Sequence, residues 1–151
     1  MQYFIEVFYK KNYGDKKIAA IKNRLETVGL KNILQIIPSV IYKIDGDYDK
    51  AAANNIAAKL FADPVLETYK IGVEAPKGFF KVQVWIRDSS TDVVGESVKD
   101  VIEAMGHARP ASARVCNAFA VRGKFTKVQL EAAVKKTFVN EVVNKFSVEE
   151  F

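Results

Sequence analysis

Short runs of alternating apolar and polar residues open both halves of the chain, and each run is followed by a longer segment with helical spacing. Residues 3–9 and 80–86 are rich in aromatic and β-branched residues, which is typical of strands. Apolar residues then recur at helical intervals through 15–28 and 92–105. The pattern predicts a strand followed by a helix in each half.

Residues typical of helix ends flank these first helices. Asp15 and Asp92 stand where an N-cap carboxylate would accept the free N–H groups of the first turn. Gly29 and Gly106 follow the last apolar position, where a helix commonly ends on a left-handed residue.

A second set of elements follows in each half. Segments 33–46 and 110–123 each predict a pair of strands, with Pro38 interrupting the first segment and with Gly46 and Gly123 as the end residues.

The second helices have their own boundaries. Asp49 begins one, and Thr126 with Gln129 forms a capping box before the other. Asp63 precedes Pro64 and is therefore disfavoured in helical geometry, so the first of these helices should stop there. An alternating strand is predicted to close each half.

The two halves are related by an internal repeat. When residue 3 is aligned with residue 80, the chain matches itself without a gap over about 70 residues, and apolar character is kept at nearly every periodic position. The matched segments are 3–11 on 80–88, 42–50 on 119–127, and 59–71 on 136–148. The segment GVEAPKG (72–78) is predicted to be the connector.

The predicted fold is therefore α+β, with two tandem β-α-β-β-α-β units at residues 1–73 and 74–151. Each unit would have a four-stranded, mainly antiparallel sheet with two helices on one face. Phe8 and Trp85 occupy equivalent positions on the other face, where burial of a large aromatic is worth about 2 kcal/mol. We therefore expect the two sheets to pack on or extend each other as a pseudo-twofold dimer.

Composition indicates the expected location and excludes some classes of partner, but it does not identify a function. The net charge is +5, but lysines are mixed with acidic residues along the chain, which favours a solvated surface over nucleic-acid binding. The single cysteine, Cys116, forms no internal disulfide, and no apolar run has the ~18 residues of a membrane span. The start of the chain lacks signal-peptide features. A cytoplasmic protein without membrane or nucleic-acid partners is expected.

No residue set predicts catalysis. His107 and Cys116 are single residues far apart in sequence, and DGDYD (45–49) lacks the later positions of a calcium loop. VRGKFTKV (121–128) contains only fragments of an RNA-binding signature. We expect no catalytic, cofactor or metal site.

One basic cluster belongs to the second half alone. Its members are Arg114, Arg122, Lys124 and Lys127, whose equivalents in the first half are Ile37, Asp45, Asp47 and Lys50. The asymmetry predicts a partner interface on the second half, although surface drift would also explain it.

KLFADPVLETYKI (59–71) resembles the C-terminal signature of the PurS family, the small subunit of phosphoribosylformylglycinamidine synthase, which is close to K-L-L-A-N-P-V-I-E-x-Y-x-I. The family's D-x-x-G motif corresponds to Asp92 and Gly95, and its helix-ending glycine to Gly29 and Gly106. Two family features, Pro-Gly before D-x-x-G and a later Gly-Lys or Gly-Arg, are missing. The similarity extends over nearly the whole chain as two tandem units, as in the N-terminal region of the large synthases.

The resemblance implies a non-catalytic bridge in purine biosynthesis, either as a separate protein or as part of a larger synthase. Its partners would be the large synthase component and the glutaminase, with further self-association possible. ATP, Mg²⁺ and glutamine would be used by the assembled enzyme, not bound by this chain. Asp92 and Gly95 would join the basic cluster at the partner interface.

A small-molecule-sensing module of the ACT type is the alternative. It has the same predicted element order, with an effector between paired domains. It needs a glycine-bearing loop between the first strand and the first helix, which Gly14 and Gly95 supply only in part.

Overall fold

The computed structural model describes residues 1–151 as an α+β fold, with four helices and one six-stranded antiparallel sheet. The strands are β1 (Gln2–Tyr9), β2 (Ile33–Asp45), β3 (Glu67–Ile71), β4 (Phe80–Ile86), β5 (Ser112–Gly123) and β6 (Asn144–Glu150). The helices are α1 (Asp15–Thr27), α2 (Lys50–Ile56, continued by a π-helical turn at Ala57–Phe61), α3 (Val93–Ala104) and α4 (Lys127–Thr137). None of the helices has the length and apolar composition needed to cross a bilayer.

The sheet has the strand order β3-β1-β2-β5-β4-β6, and every neighbouring pair is antiparallel. The second half repeats the register of the first at the positions that the internal repeat makes equivalent. Phe4 pairs with Lys43, and their equivalents Lys81 and Ala120 also pair. At the centre, Val40 pairs with Asn117, its own equivalent in the second half. The pairing of β1 with β2 and the pairing of β4 with β5 therefore have the same register under the offset of the repeat.

Each half has three strands, so the predicted β-α-β-β-α-β order and four-stranded sheet are wrong. The expected strand pairs are the single long strands β2 and β5. Pro38 does not interrupt β2, because the pairing of β2 with β1 ends at Ser39, just before the proline position is reached. The order in each half is β-α-β-α-β. β2 and β5 pair edge to edge, so all six strands belong to one continuous sheet.

Three of the four predicted N-caps are confirmed. Asp49 accepts a hydrogen bond from the Ala52 amide, and Asp92 accepts one from the Gly95 amide. Thr126 and Gln129 form a reciprocal capping box.

The fourth predicted cap is wrong, because Gly14 is the N-cap of α1 and Asp15 is its first helical residue. Gly14 lies against the ring of Tyr9, where an added Cβ would be 2.7 Å from Cδ2. A side chain at this N-cap position would therefore collide with the Tyr9 ring.

The glycines predicted to end elements do so. Gly29 and Gly106 have φ values of 96° and 94°, the left-handed conformation expected after α1 and α3. Gly46 follows β2 directly, and Gly123 is the last residue of β5.

Two apolar cores lie between the sheet and the helices, and each contains residues from both halves. The first is formed by α2 and α3, with Ile56, Phe61 and Ile102 among its buried members. The second is formed by α1 and α4, with Leu25 and Leu130 fully buried. Each half therefore contributes one helix to the core that covers the other half, and the two cannot be packed independently.

The opposite side of the sheet carries no helix and is called the helix-free face. Because side chains alternate along a strand and paired residues share a face, its central members follow from the register. They are Phe4, Glu6, Phe8, Ile37, Ser39, Ile41, Lys43, Lys81, Gln83, Trp85, Arg114, Cys116, Ala118 and Ala120.

The DPVLE residues (63–67) of the segment KLFADPVLETYKI lie at a tight turn before β3. The π-helical turn ends at Phe61, as the Asp63–Pro64 signal predicts. The Asp63 carboxylate accepts hydrogen bonds from the amides of Val65 and Leu66, at 2.8 and 3.2 Å. The Asp63 amide donates to Glu67 Oε1 at 2.9 Å. This polar turn fixes where the edge strand begins.

The turn before β6 has two of these three bonds at the equivalent positions of the second half. Asn140 accepts from the amide of Val142 at 3.1 Å, and its own amide donates to Asn144 Oδ1 at 3.0 Å. A basic side chain also binds each turn, since Lys10 donates to the Pro64 carbonyl and Arg87 to the Glu141 carbonyl.

Asp63→Ala and Asn140→Ala are each expected to lower the free energy of unfolding by about 1 kcal/mol, because the first leaves two backbone N–H groups of its turn without their acceptor and the second leaves one. Urea unfolding of the two variants measures the effect. A loss at one turn and none at the other would contradict the equivalence of the two turns.

Candidate functional site

A buried ion pair joins the two halves on the helix-free face. Lys81 Nζ donates to Glu6 Oε2, and both side chains have no exposed surface. Ser39 Oγ donates to the same carboxylate oxygen at 2.5 Å, and Lys81 also donates to the Glu74 carbonyl at 3.2 Å. Glu6 Oε1 is buried and accepts no hydrogen bond. Buried charges are rare unless they are paired, so this cluster is the most unusual chemistry in the chain.

Small residues on the central strands allow this contact. β1 and β4 are separated by β2 and β5, so their axes lie about 14 Å apart at ordinary strand spacing. Ser39, Ala118 and Ala120 lie between them and are buried. Their short side chains let Glu6 and Lys81 lean over the middle of the sheet and meet.

The connector 72–78 covers part of this face. Val73 packs on the buried cluster of Ile41, Cys116 and Ala118. The connector therefore excludes water from one side of the ion pair, while the other side faces a cavity.

The cavity has a volume of about 420 Å³ and is called the charged cavity. Lys81 contributes to its lining, Phe8 and Ile37 are among its apolar residues, and Lys70 and Glu74 also line it. Lys70 Nζ bonds Glu74 Oε1 at 2.6 Å in an exposed ion pair. This hydrogen bond raises the pKa of Lys70 and lowers the pKa of Glu74.

A smaller mirror cavity of about 130 Å³ occupies the equivalent place in the other half. Its lining includes Phe4 and Trp85, which stand where Lys81 and Phe8 stand in the charged cavity. The two rings meet edge to face, with centroids 6.5 Å apart. Gln83 replaces Glu6 and accepts a hydrogen bond from Trp85 Nε1. Phe4, Gln83 and Trp85 therefore give the mirror cavity an uncharged part, while Lys43, Asp88, Arg114 and Lys145 line the rest of it.

The D-x-x-G residues have structural contacts. The Asp92 carboxylate caps α3 and also accepts from the Val115 amide at 2.9 Å, and the residue is 4% exposed. Gly95 is buried, and an added Cβ would lie 2.0 Å from the Ala113 carbonyl oxygen. These two residues dock α3 on β5, so neither presents a side chain to a partner.

The four predicted basic residues do not form one cluster. Arg114 and Arg122 share the helix-free face but are eight positions apart on β5, which corresponds to about 27 Å. Arg114 donates to the carbonyls of Ser90 and Asp88, and Arg122 donates to the side chain of Gln35.

Lys124 and Lys127 lie around the start of α4 and are exposed. Lys124 joins Lys31 and Lys136 in lining a groove of about 400 Å³ between the loop that follows α1 and helix α4. Their side chains are solvated, and Lys127 lies outside the groove lining. This part of the predicted interface is an accessible basic surface.

Cys116 and His107 have no catalytic partners. Burial raises the pKa of the Cys116 thiol, which keeps it protonated and unreactive. His107 Nε2 lies 3.0 Å from Asn55 Oδ1. No group of three or more His, Cys, Asp or Glu side chains is arranged to hold a metal ion.

Sequence reasoning missed Glu6 and Lys81. Alternation places a polar residue between apolar neighbours on the solvent side of a strand, as it does for Gln83. The available signal was a charged residue within each of two strongly apolar strands. The contact between Glu6 and Lys81 could not be read from it, because it depends on the order of strands that are distant in sequence.

Comparison with known proteins found no family model that matches the chain and no curated protein similar to it.

Proposed function

We propose that the chain is a tandem pair of PurS-like units, at residues 1–73 and 74–151, that bridges the large synthase component and the glutaminase of phosphoribosylformylglycinamidine synthase. In this role it would contribute to purine biosynthesis in the cytoplasm without catalytic residues of its own. ATP, Mg²⁺ and glutamine would be used by its partners.

The observation that carries the proposal is that equivalent residues of the two halves are separated by one constant distance in sequence. It holds for the pairing of β1 with β2 and of β4 with β5, and for the hydrogen bonds of the turns at Asp63 and Asn140. A relation of this kind supports descent of both halves from one unit that pairs with itself. The similarity of KLFADPVLETYKI to the PurS signature then supplies the identity of the unit.

A bridge needs two distinct accessible surfaces on a rigid body. The continuous sheet and the shared cores join the halves firmly. The basic groove containing Lys124 has no basic counterpart at Asp47, its equivalent in the first half. The two ends of the pseudo-twofold body therefore differ in charge and suit two different partners.

The proposal is tested by measuring glutamine-driven and ammonia-driven synthase activity with the cognate large and glutaminase components, with and without this chain. We expect glutamine-driven turnover to require the chain and the chain alone to show none. If neither activity responds and no complex forms, the proposed bridge is wrong.

Matched surface variants locate the contact. Lys124→Glu combined with Lys127→Glu is expected to weaken assembly, because it reverses the charge of the second-half surface. Lys50→Glu is the control, since Lys50 is the equivalent of Lys127 and begins α2 as Lys127 begins α4. Equal loss in both variants would argue against a partner that docks on the second half.

A small-molecule-sensing role is the second candidate, and the charged cavity is the observation that favours it. The cavity lies between elements of the two halves, since β1 and β3 contribute one wall and β4 and β5 contribute Lys81 and Ala120.

A further inference from the structure

We propose that the basic groove between the loop that follows α1 and helix α4 binds a small phosphate ester with an apolar body. The groove is the cavity of about 400 Å³ that contains Lys124. This inference is independent of the bridging role, because it concerns a ligand of the isolated chain. It rests on the charge and the floor of the groove and on the equivalent place in the other half.

Three lysine side chains of the groove are accessible and have no acidic partner. Lys31, Lys124 and Lys136 are exposed and form no ion pair. No aspartate or glutamate contributes to the lining. Neighbouring like charges favour an anion between them, and each ammonium group offers three N–H donors. A phosphate monoester carries a charge of about −1.5 to −2 at pH 7, so it neutralises more of this charge than a carboxylate does.

The lysines come from elements that are fixed to each other. The Lys124 amide donates to the Asn32 carbonyl at 3.0 Å, which holds the start of the α4 segment beside the loop that carries Lys31. Gln129 and Lys136 line the groove two turns apart on α4, which is about 10 Å along the helix. A phosphate between Lys31 and Lys124 would therefore leave room along α4 for the body of the ligand.

The floor of the groove is apolar. Leu30 and Ala133 are buried in the second core, and Val28, Phe125 and Ala132 also line the groove. The short side chains of the two alanines leave space along α4, and the volume lies in the range of small-molecule sites. An apolar body attached to the phosphate would remove this surface from water, which inorganic phosphate would not do.

The equivalent place in the other half, between α2 and the loop that follows α3, is closed by its own side chains. His107 Nε2 lies 3.0 Å from Asn55 Oδ1, and the Tyr48 hydroxyl donates to the Ala108 carbonyl at 2.5 Å. The equivalents of His107, Asn55 and Tyr48 in the basic groove are Leu30, Ala132 and Phe125. None of these three has a polar side-chain group, so the basic groove cannot be closed in the same way.

The charges of the two places differ as well. Ala108 and Asp47 stand where the basic groove has Lys31 and Lys124, and only the third lysine is repeated. Arg109 also lies in that loop, but two acidic side chains of α3 hold it in ion pairs. The open shape and the unpaired charge of the basic groove are therefore properties of one half and are not required by the fold.

Isothermal titration calorimetry with the whole chain at low ionic strength tests the proposal, using 1-naphthyl phosphate and three matched probes. 1-Naphthyl sulfate has the same body and one negative charge, inorganic phosphate lacks the body, and 1-naphthol lacks the anion. We expect saturable binding of the phosphate ester and about tenfold weaker binding of each matched probe. Absence of saturable binding would overturn the proposal, as would equal binding of any matched probe.

Variants then place the ligand. Lys31→Ala and Lys124→Ala should each weaken binding of the ester by about tenfold. Ala132→Leu should weaken it to a similar extent, because it fills the groove at an exposed helix position and leaves every charge in place. Lys127→Ala is the control, since Lys127 is exposed at the start of α4 but lies outside the groove lining. An equal loss in the control would show general attraction to a basic surface and refute the proposal.

Two further measurements separate this inference from the bridging role. Hexaglutamate represents an acidic segment of a partner protein, and tighter binding of hexaglutamate than of 1-naphthyl phosphate would refute the small-ligand site. Absence of ester binding in a chain that glutamine-driven synthase activity requires would refute this inference and leave the bridging role in place. Ester binding by a chain to which neither synthase activity responds would do the reverse.

Discussion

Lys81→Met is expected to lower the free energy of unfolding by about 3–5 kcal/mol, which is the usual cost of removing one partner from a buried ion pair. Methionine matches the volume of the lysine stem, so the loss is electrostatic. Glu6 would keep only the Ser39 hydroxyl as a partner for its buried charge. Chemical denaturation at neutral pH measures the change.

The double variant Glu6→Gln, Lys81→Phe is the matched comparison. It removes both charges and is expected to be within about 1 kcal/mol of the parent protein or more stable, because replacing a whole buried ion pair is often neutral or stabilising. If Lys81→Met were as stable as the parent protein, the pair would not be desolvated as described.

Gly95→Ala is expected to cost about 3 kcal/mol, at the upper end for overpacking. The new methyl group would lie 2.0 Å from the Ala113 carbonyl oxygen and 2.9 Å from its carbonyl carbon. Both atoms belong to the backbone of β5, so α3 must move away and weaken the contacts of Val98 and Ile102 with the core. Thermal or urea unfolding measures the loss.

Gly106→Ala is the control, because this glycine is required by its backbone conformation and not by a close neighbour. Gly106 has open space around it but a φ of 94°, so alanine there should cost about 1 kcal/mol through backbone strain alone. An equal effect of both variants would show that the approach of α3 to β5 is looser than the structure describes.

Local signals predicted much of this fold. The helix limits at Asp49, Asp92 and Thr126 follow from side chains that bind backbone groups within three residues. The internal repeat also indicates that the two halves share one strand register, because it aligns equivalent strands without a gap. Such features depend on neighbours in sequence or on a pattern that occurs twice.

Other features depend on distant strands and were not predictable in this way. Pro38 has the local signal of an interruption, but the strand continues because its pairing with β5 passes across the proline. Arg114 and Arg122 belong to one basic stretch in sequence, yet an extended strand separates their side chains. The meeting of Glu6 and Lys81 requires the strand order and the short side chains between them.

The unequal cavities have a consequence for how this molecule can change. In a self-associating single unit, every substitution would be copied into both cavities, and a floor with Lys81 on one side and Phe4 on the other could not arise. A single chain encodes the two positions separately, so Phe4 and Trp85 can pack together beside one cavity while Lys81 keeps its charge beside the other. A position in one half can therefore change without the same change at its equivalent in the other half.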